Sequence, residues 1–155
     1  MLLGYESCTA RQGHAAGRVL LEKLYQEYTG RQMPAVLTRE RGKPYFQEKD
    51  VHFSISHTKT RVFCVLSDRP IGLDAEPMDR KIDLRLAEKI LSSGEKEIYN
   101  RAQDKSATLL KFWVLKEADA KRTGMGLQGY PNHTNFDPND PRIQIIDDHY
   151  VAILE

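Results

Sequence analysis

The 155-residue chain has two cysteines, Cys8 and Cys64, far apart and with no histidine or second cysteine at a metal-ligand spacing. A disulfide framework and a cysteine-held zinc are therefore excluded as organising features. No apolar run approaches the ~18 residues that a membrane span requires. The opening residues Met1-Leu2-Leu3-Gly4-Tyr5-Glu6 lack the basic-then-apolar pattern of a secretory leader. Charge of neither sign dominates: 23 Lys and Arg face 22 Asp and Glu, a net of +1. That balance carries no polyanion-binding signature, so neither a nucleic acid nor a membrane is an expected partner. Repeats and low-complexity segments are absent, as is any Gly-x-Ser-x-Gly nucleophile elbow. What is present is ordinary for a folded protein, 40% hydrophobic and 29% charged residues. One domain over 1–155 is expected, in a reducing cytoplasm and as a monomer. The charge is divided unevenly: 1–69 holds 11 basic and 7 acidic side chains, 70–155 holds 12 and 15. The first half could face an anion and the second a cation, although a difference of this size also arises by chance.

Apolar periodicity predicts a helix over 12–28, with Ala16, Val19, Leu20, Leu24 and Tyr28 on one face and Gly30 as its stop. A short strand is expected at 35–38, after which Arg41-Gly42-Lys43-Pro44 breaks regular structure. Strict alternation over 51–56 predicts a half-buried strand, and the continuous apolar run 62–66 a fully buried one. Residues 71–76 read as a further strand, central in the fold. Helices are predicted over 84–91, over 94–102 and over 105–123. The second is opened by Ser92 or Ser93 with Glu95 nearby, and the third ends at Gly124. Residues 130–141 read as loop, and 142–146 and 150–154 as a hairpin turning through Asp147-Asp148.

Four local features carry candidate chemistry. On a strand, Asp74 and Glu76 lie at i and i+2 and share a face, so their charges repel unless a cation or proton intervenes. Oxygen-only ligands of this kind suit Mg²⁺, but alone the pair more often marks a solvated strand end. In Trp113-Val114-Leu115-Lys116-Glu117-Ala118, Glu117 lies one turn beyond Trp113 on an apolar face that also carries Leu109 and Ala120. An acid there is costly unless ligated or paired, and Lys121 at i+4 offers an ordinary ion pair. Ser54-Ile55-Ser56-His57-Thr58 ends a strand with hydroxyls, an imidazole and free backbone donors able to grip phosphate oxygens. Ser56 and His57 point to opposite faces there, which argues against proton transfer between them. Gly42-Lys43-Pro44 sets a cation on a tight turn, or is a plain surface loop.

Order and spacing make more of these features. Gly42-Lys43-Pro44, then Phe53-Ser54-Ile55-Ser56-His57, then Ile71-Gly72-Leu73-Asp74-Ala75-Glu76 occur in sequence. Phe112-Trp113-Val114-Leu115-Lys116-Glu117-Ala118, Lys121 and Gly124-Met125-Gly126-Leu127 follow. Over roughly 11–127 this series resembles the 4′-phosphopantetheinyl transferases. The Ser-His block precedes the aspartate block, which is similar to the longer, surfactin-synthetase-activating type, a single chain of two α+β halves, here about 1–69 and 70–155. Segments usual at both ends of that type are missing from the resemblance.

The resemblance implies an α+β fold and transfer of 4′-phosphopantetheine from coenzyme A to a serine of an apo acyl or peptidyl carrier protein. It implies Mg²⁺, or Mn²⁺ in its place, held by Asp74, Glu76 and Glu117, with Glu117 also the base for the serine proton. Lys116 and Lys121 match lysines near the pyrophosphate. Lys43, Ser56, His57 and Thr58 are expected on the nucleotide phosphates, with His14, Arg39 and Arg41 as further contacts to the coenzyme. Arg80, Lys81 and Arg85 are candidates for docking an acidic carrier. A degenerate module that binds coenzyme A or a carrier without transfer is the alternative; another Mg²⁺-dependent phosphate-ester enzyme fits the Trp113–Lys121 block poorly.

Overall fold

The computed structural model describes residues 1–40, 42–48, 50–126 and 134–155. Arg41, Leu127 and the part of the expected loop within 127–133 lie outside them. The chain runs β1 (Leu2–Ser7), α1 (Gly13–Thr29), β2 (Val36–Thr38), β3 (Pro44–Phe46), β4 (His52–His57), β5 (Arg61–Ser67), β6 (Gly72–Pro77), α2 (Leu86–Ile90), α3 (Ser93–Arg101), α4 (Lys105–Thr123), β7 (Ile143–Ile146) and β8 (His149–Leu154). The fold is α+β, as expected. Among the described residues no helix is long and apolar enough to cross a membrane.

Two antiparallel three-stranded sheets, β1-β5-β4 and β6-β8-β7, pack face to face, and β2 and β3 form a separate hairpin. Side-chain alternation builds the layers. From β5, Val62, Cys64 and Leu66 join Leu20, Leu21, Leu24 and Tyr25 of α1 in one core. Phe63 and Val65 turn the other way, against Leu73 and Ala75 of β6 and Val151 and Ile153 of β8. Because β5 is covered on both faces, its run is continuously apolar. Beyond the second sheet, Ala152 and Leu154 of β8 pack with Leu109, Leu110, Phe112, Leu115 and Ala118 of α4 in a third core.

Several boundaries differ from the sequence expectation for identifiable reasons. β1 has no strand signature, because Gly4 interrupts its alternation; a Cβ there would lie 2.9 Å from Leu24. β3 begins within the stretch expected to break regular structure: Gly42, at φ +82°, makes the turn, and Pro44 opens the strand opposite Thr38. On α1, Val19 is 63% exposed while Leu21 and Tyr25 are buried. The buried face is rotated toward Gly13 and Gly17, which carry no apolar side chain to announce it. β6 is central in the molecule but lies at the edge of its sheet. Its free edge is closed by side chains: Leu73 N donates to Ser54 Oγ at 2.9 Å and Ala75 N to Ser56 Oγ at 3.2 Å. Those hydroxyls replace a neighbouring strand and satisfy donors that burial would otherwise orphan.

Candidate active site

Asp74 and Glu76 leave β6 on the face turned to α4, from which Glu117 and Lys121 project one turn apart. Close approach of strand and helix depends on Gly72, where a Cβ would lie 1.8 Å from the carbonyl oxygen of Ala118. All four side chains line one cleft of about 630 Å³ with Ser56, His57, His14, Arg18, Arg80 and Trp113. The β2–β3 hairpin contributes Gly42 and Pro44 to its rim.

Of the three acids in the cleft Asp74 is the most enclosed, 5% exposed. Its Oδ1 accepts from Lys121 Nζ at 2.7 Å and from Ser56 Oγ at 3.0 Å. Lys121 thus turns to Asp74, not to Glu117 in the i,i+4 pair that the sequence offers. Glu76 is held by the Arg80 guanidinium. Burial first, and then the charge of Asp74, push Glu76 above the ordinary carboxylate range, against the opposing pull of Arg80. Glu117 is likewise raised, by burial first and then by Asp74, with Lys121 opposing. Glu76 and Glu117 thus both respond to the charge of Asp74.

By donor chemistry the three acids suit a small divalent cation. Asp74 Oδ2 is a buried carboxylate oxygen with no hydrogen-bond partner among the described residues, an arrangement costing about 1–3 kcal/mol if left unmet. Crowded, mutually repelling carboxylates supply the hard oxygen donors that Mg²⁺ prefers. Among the described residues, however, no three His, Cys, Asp or Glu side chains are grouped closely enough to hold a metal ion. Lys121 and Arg80 occupy two of the acids instead.

The expected phosphate contacts divide. His57 reaches the cleft, with the His14 ring edge-on to it at 4.7 Å between centroids. Gly13 makes room for that pair, since a Cβ there would lie 2.7 Å from His57 Nδ1. Burial first, then His14 and Lys121, lower the pKa of His57. Ser56 lines the cleft, but its hydroxyl is engaged with Asp74 and Ala75, so it positions the acid instead of standing free for phosphate. Thr58 is turned away: its Oγ1 lies 3.1 Å from His149 Nε2 and accepts from Arg61 N at 3.1 Å within the β4–β5 turn. Lys43 donates from Nζ to the Arg122 carbonyl at 2.6 Å, fastening the β2–β3 hairpin to the end of α4. It lines two clefts adjoining the first, one of them shared with Arg39, which lies over Tyr45. Arg41 lies outside the described residues.

Lys116 does not reach the cleft. It is 1% exposed, with Nζ 2.8 Å from Glu95 Oε2 and donating to the Thr134 carbonyl at 3.1 Å. Helical geometry explains the correction: neighbours on α4 are about 100° apart, so Glu117 faces β6 while Lys116 faces α3. Of the residues expected to dock a carrier, Arg80 turns inward to Glu76 and over the Trp113 ring. Lys81 lines a larger neighbouring cleft of about 1380 Å³. Arg85 pairs with Asp83 at 2.7 Å on the surface.

Sequence reasoning misses Arg18 and the roles of Trp113 and Glu95. Arg18 stands one helical turn after His14, and that i,i+4 spacing is the available signal. Trp113 reads in the sequence only as part of an apolar face, yet it lines the cleft beneath Arg80. Glu95 reads as a helix-opening residue, and it does form a capping box with Ser92. Its tie to Lys116 has no local signature.

The sequence model of the 4′-phosphopantetheinyl transferase superfamily matches residues 70–152, which contain every acid of the cleft. The chain is 34% identical over 90 residues to the 4′-phosphopantetheinyl transferase gsp of Aneurinibacillus migulanus, covering 57% of this chain and 37% of that protein. It is 31% identical over 116 residues to the 4′-phosphopantetheinyl transferase psf-1 of Bacillus pumilus, covering 72% and 49%. To the 4′-phosphopantetheinyl transferase HetI of Nostoc it is 31% identical over 127 residues, covering 76% and 54%. The chain thus spans about half the length of the curated relatives it matches. With its clustered acids on β6 and α4 and its Ser-His block ahead of them, the chain belongs to the 4′-phosphopantetheinyl transferase superfamily and is similar to its surfactin-synthetase-activating type.

Proposed function

We propose that this chain moves 4′-phosphopantetheine from coenzyme A to a serine hydroxyl of an apo acyl or peptidyl carrier protein, releasing adenosine 3′,5′-bisphosphate. The observation that carries the reading is the cleft in which Asp74, Glu76, Glu117 and Lys121 converge beside His57. Asp74, Glu76 and Glu117 would hold Mg²⁺, or Mn²⁺, which when bound neutralises charge on the pyrophosphate. His57 and His14, with Arg18 behind them, present imidazoles and a guanidinium to the nucleotide phosphates. Glu117, which projects from α4 into the cleft, is suited by position to take the serine proton. Lys121 supplies a donor that can follow charge onto the leaving phosphate. Ser56 fixes the Asp74 carboxylate through its hydroxyl. The two halves, about 1–69 and 70–155, act as one unit in a cytoplasmic monomer.

Incubation of the purified chain with coenzyme A, Mg²⁺ and an apo carrier protein tests the reading. Intact-mass measurement should find the phosphopantetheine increment on the carrier, and a chelator should abolish it. A chain that binds coenzyme A while the carrier stays apo would instead be a binding module.

A further inference from the structure

Three acids line the cleft with Arg18, Arg80 and Lys121, and two of these cations are paired with its acids. Lys121 neutralises Asp74, and Arg80 neutralises Glu76. Arg80 holds its place by more than charge: its guanidinium lies 5.4 Å above the Trp113 ring, and its backbone N–H donates to the Pro77 carbonyl at 3.0 Å in the turn after β6. Its side chain is still 34% exposed and borders both the catalytic cleft and the larger cleft next to it, which gives the guanidinium somewhere to move. A divalent cation approaching Glu76 meets a positive charge already seated on that carboxylate. Full neutralisation of the acids by metal plus both side-chain cations would leave excess positive charge, which a diphosphate ester would absorb.

We propose that Arg80 is an internal counter-ion that competes with the divalent metal for Glu76 and thereby couples metal uptake to uptake of the anionic substrate. The inference rests on the function proposed above and deepens it. Without the anion, Arg80 stays on Glu76 and metal binding is weak. With the anion in the cleft, Arg80 is drawn from Glu76 toward the phosphate oxygens, and the carboxylate becomes available. By linkage, metal and coenzyme A then tighten each other's binding by one common factor.

Mn²⁺ binding, followed by titration calorimetry and by loss of the free-ion paramagnetic resonance signal, tests this directly. Wild-type protein should bind Mn²⁺ weakly alone and more tightly with coenzyme A. Arg80→Gln, which keeps the stem but loses the charge, should bind Mn²⁺ alone on the order of 10-fold more tightly, and coenzyme A should then add correspondingly less. Arg80→Lys, which keeps the charge, should stay within about 3-fold of wild type on the same reasoning. Melting temperatures of the three proteins establish that all are folded. Unchanged or weaker Mn²⁺ binding by Arg80→Gln, with wild-type coupling intact, overturns the inference and leaves the proposed function standing. Failure of the wild-type chain to take up Mn²⁺ even with coenzyme A overturns both.

Discussion

Replacing Lys116 by Met removes a buried charge at nearly constant volume and separates a structural lysine from a catalytic one. In the fold, Lys116 Nζ sits 2.8 Å from Glu95 Oε2, and both side chains are 1% exposed. Removing one partner of a buried pair costs roughly 3–5 kcal/mol, because the other charge is stranded. Glu95 would keep two donors, Ser92 N–H to Oε2 at 2.8 Å and Phe136 N–H to Oε1 at 2.9 Å. The lower end, about 3 kcal/mol, is therefore expected. For a chain of this size each kcal/mol moves the melting temperature about 2–4 °C, so the variant should melt about 6–12 °C lower. Circular dichroism melts measure that shift. A Glu95→Ala/Lys116→Met double variant should lose less than the sum of the two single losses, since the residues are coupled. Well below its melting point, Lys116→Met should still bind coenzyme A like wild type. A melting temperature within about 2 °C of wild type (far below the expected shift of about 6 °C or more), together with lost coenzyme A affinity, would refute the reasoning and return Lys116 to the phosphates.

Glu117→Gln should fold and bind coenzyme A but transfer about 10²–10⁴-fold more slowly, a loss that excess Mg²⁺ does not repair. Asp74→Asn should recover in part as Mg²⁺ rises; rate against metal concentration distinguishes the two. His57→Ala should raise the KM for coenzyme A more than it lowers kcat, because the proposed contact is made to the resting substrate. His57 is held below its ordinary value by burial and then by His14 and Lys121, so anion binding should draw a proton onto it. Coenzyme A should accordingly bind more tightly as pH falls toward and below the ordinary histidine value, and calorimetry should find that slope missing in His57→Ala. Glu76 and Glu117 have raised values in the fold, so the stability they contribute is full below the ordinary carboxylate value. It is lost as pH rises through their raised values, and pH-dependent melts of metal-free Glu117→Gln should show a shallower loss over that window.

Features encoded over one or two turns of chain are legible in the sequence itself. The periodicity over Lys105–Thr123 predicts a helix ending at Gly124, which caps it at φ +73°. The β7–β8 hairpin turns through Asp147 and Asp148, both at positive φ, and the Ser92–Glu95 capping box opens α3. Strand alternation alone sets Asp74 and Glu76 on one face and divides Ser56 from His57. These signals survive because period and turn chemistry are local properties of the backbone. β1 and β3 escape for the same reason, since a glycine and a proline erase the local period.

Partner choice is decided only in three dimensions. Lys121 could reach Glu117 at four residues but pairs with Asp74, 47 residues away. Ser56 reaches Asp74 across 18 residues, and Thr58 meets His149 across 91. Lys116, next in sequence to Glu117, is carried to the far side of α4 and into the pair with Glu95. Arg80, which the sequence places among surface cations, is folded over Trp113 onto Glu76. The sequence determined which residue types stand at which faces. Which charge neutralises which depends on the distances and burial created when β4, β6 and α4 close on one another, and a Coulombic choice between several nearby partners is settled only there.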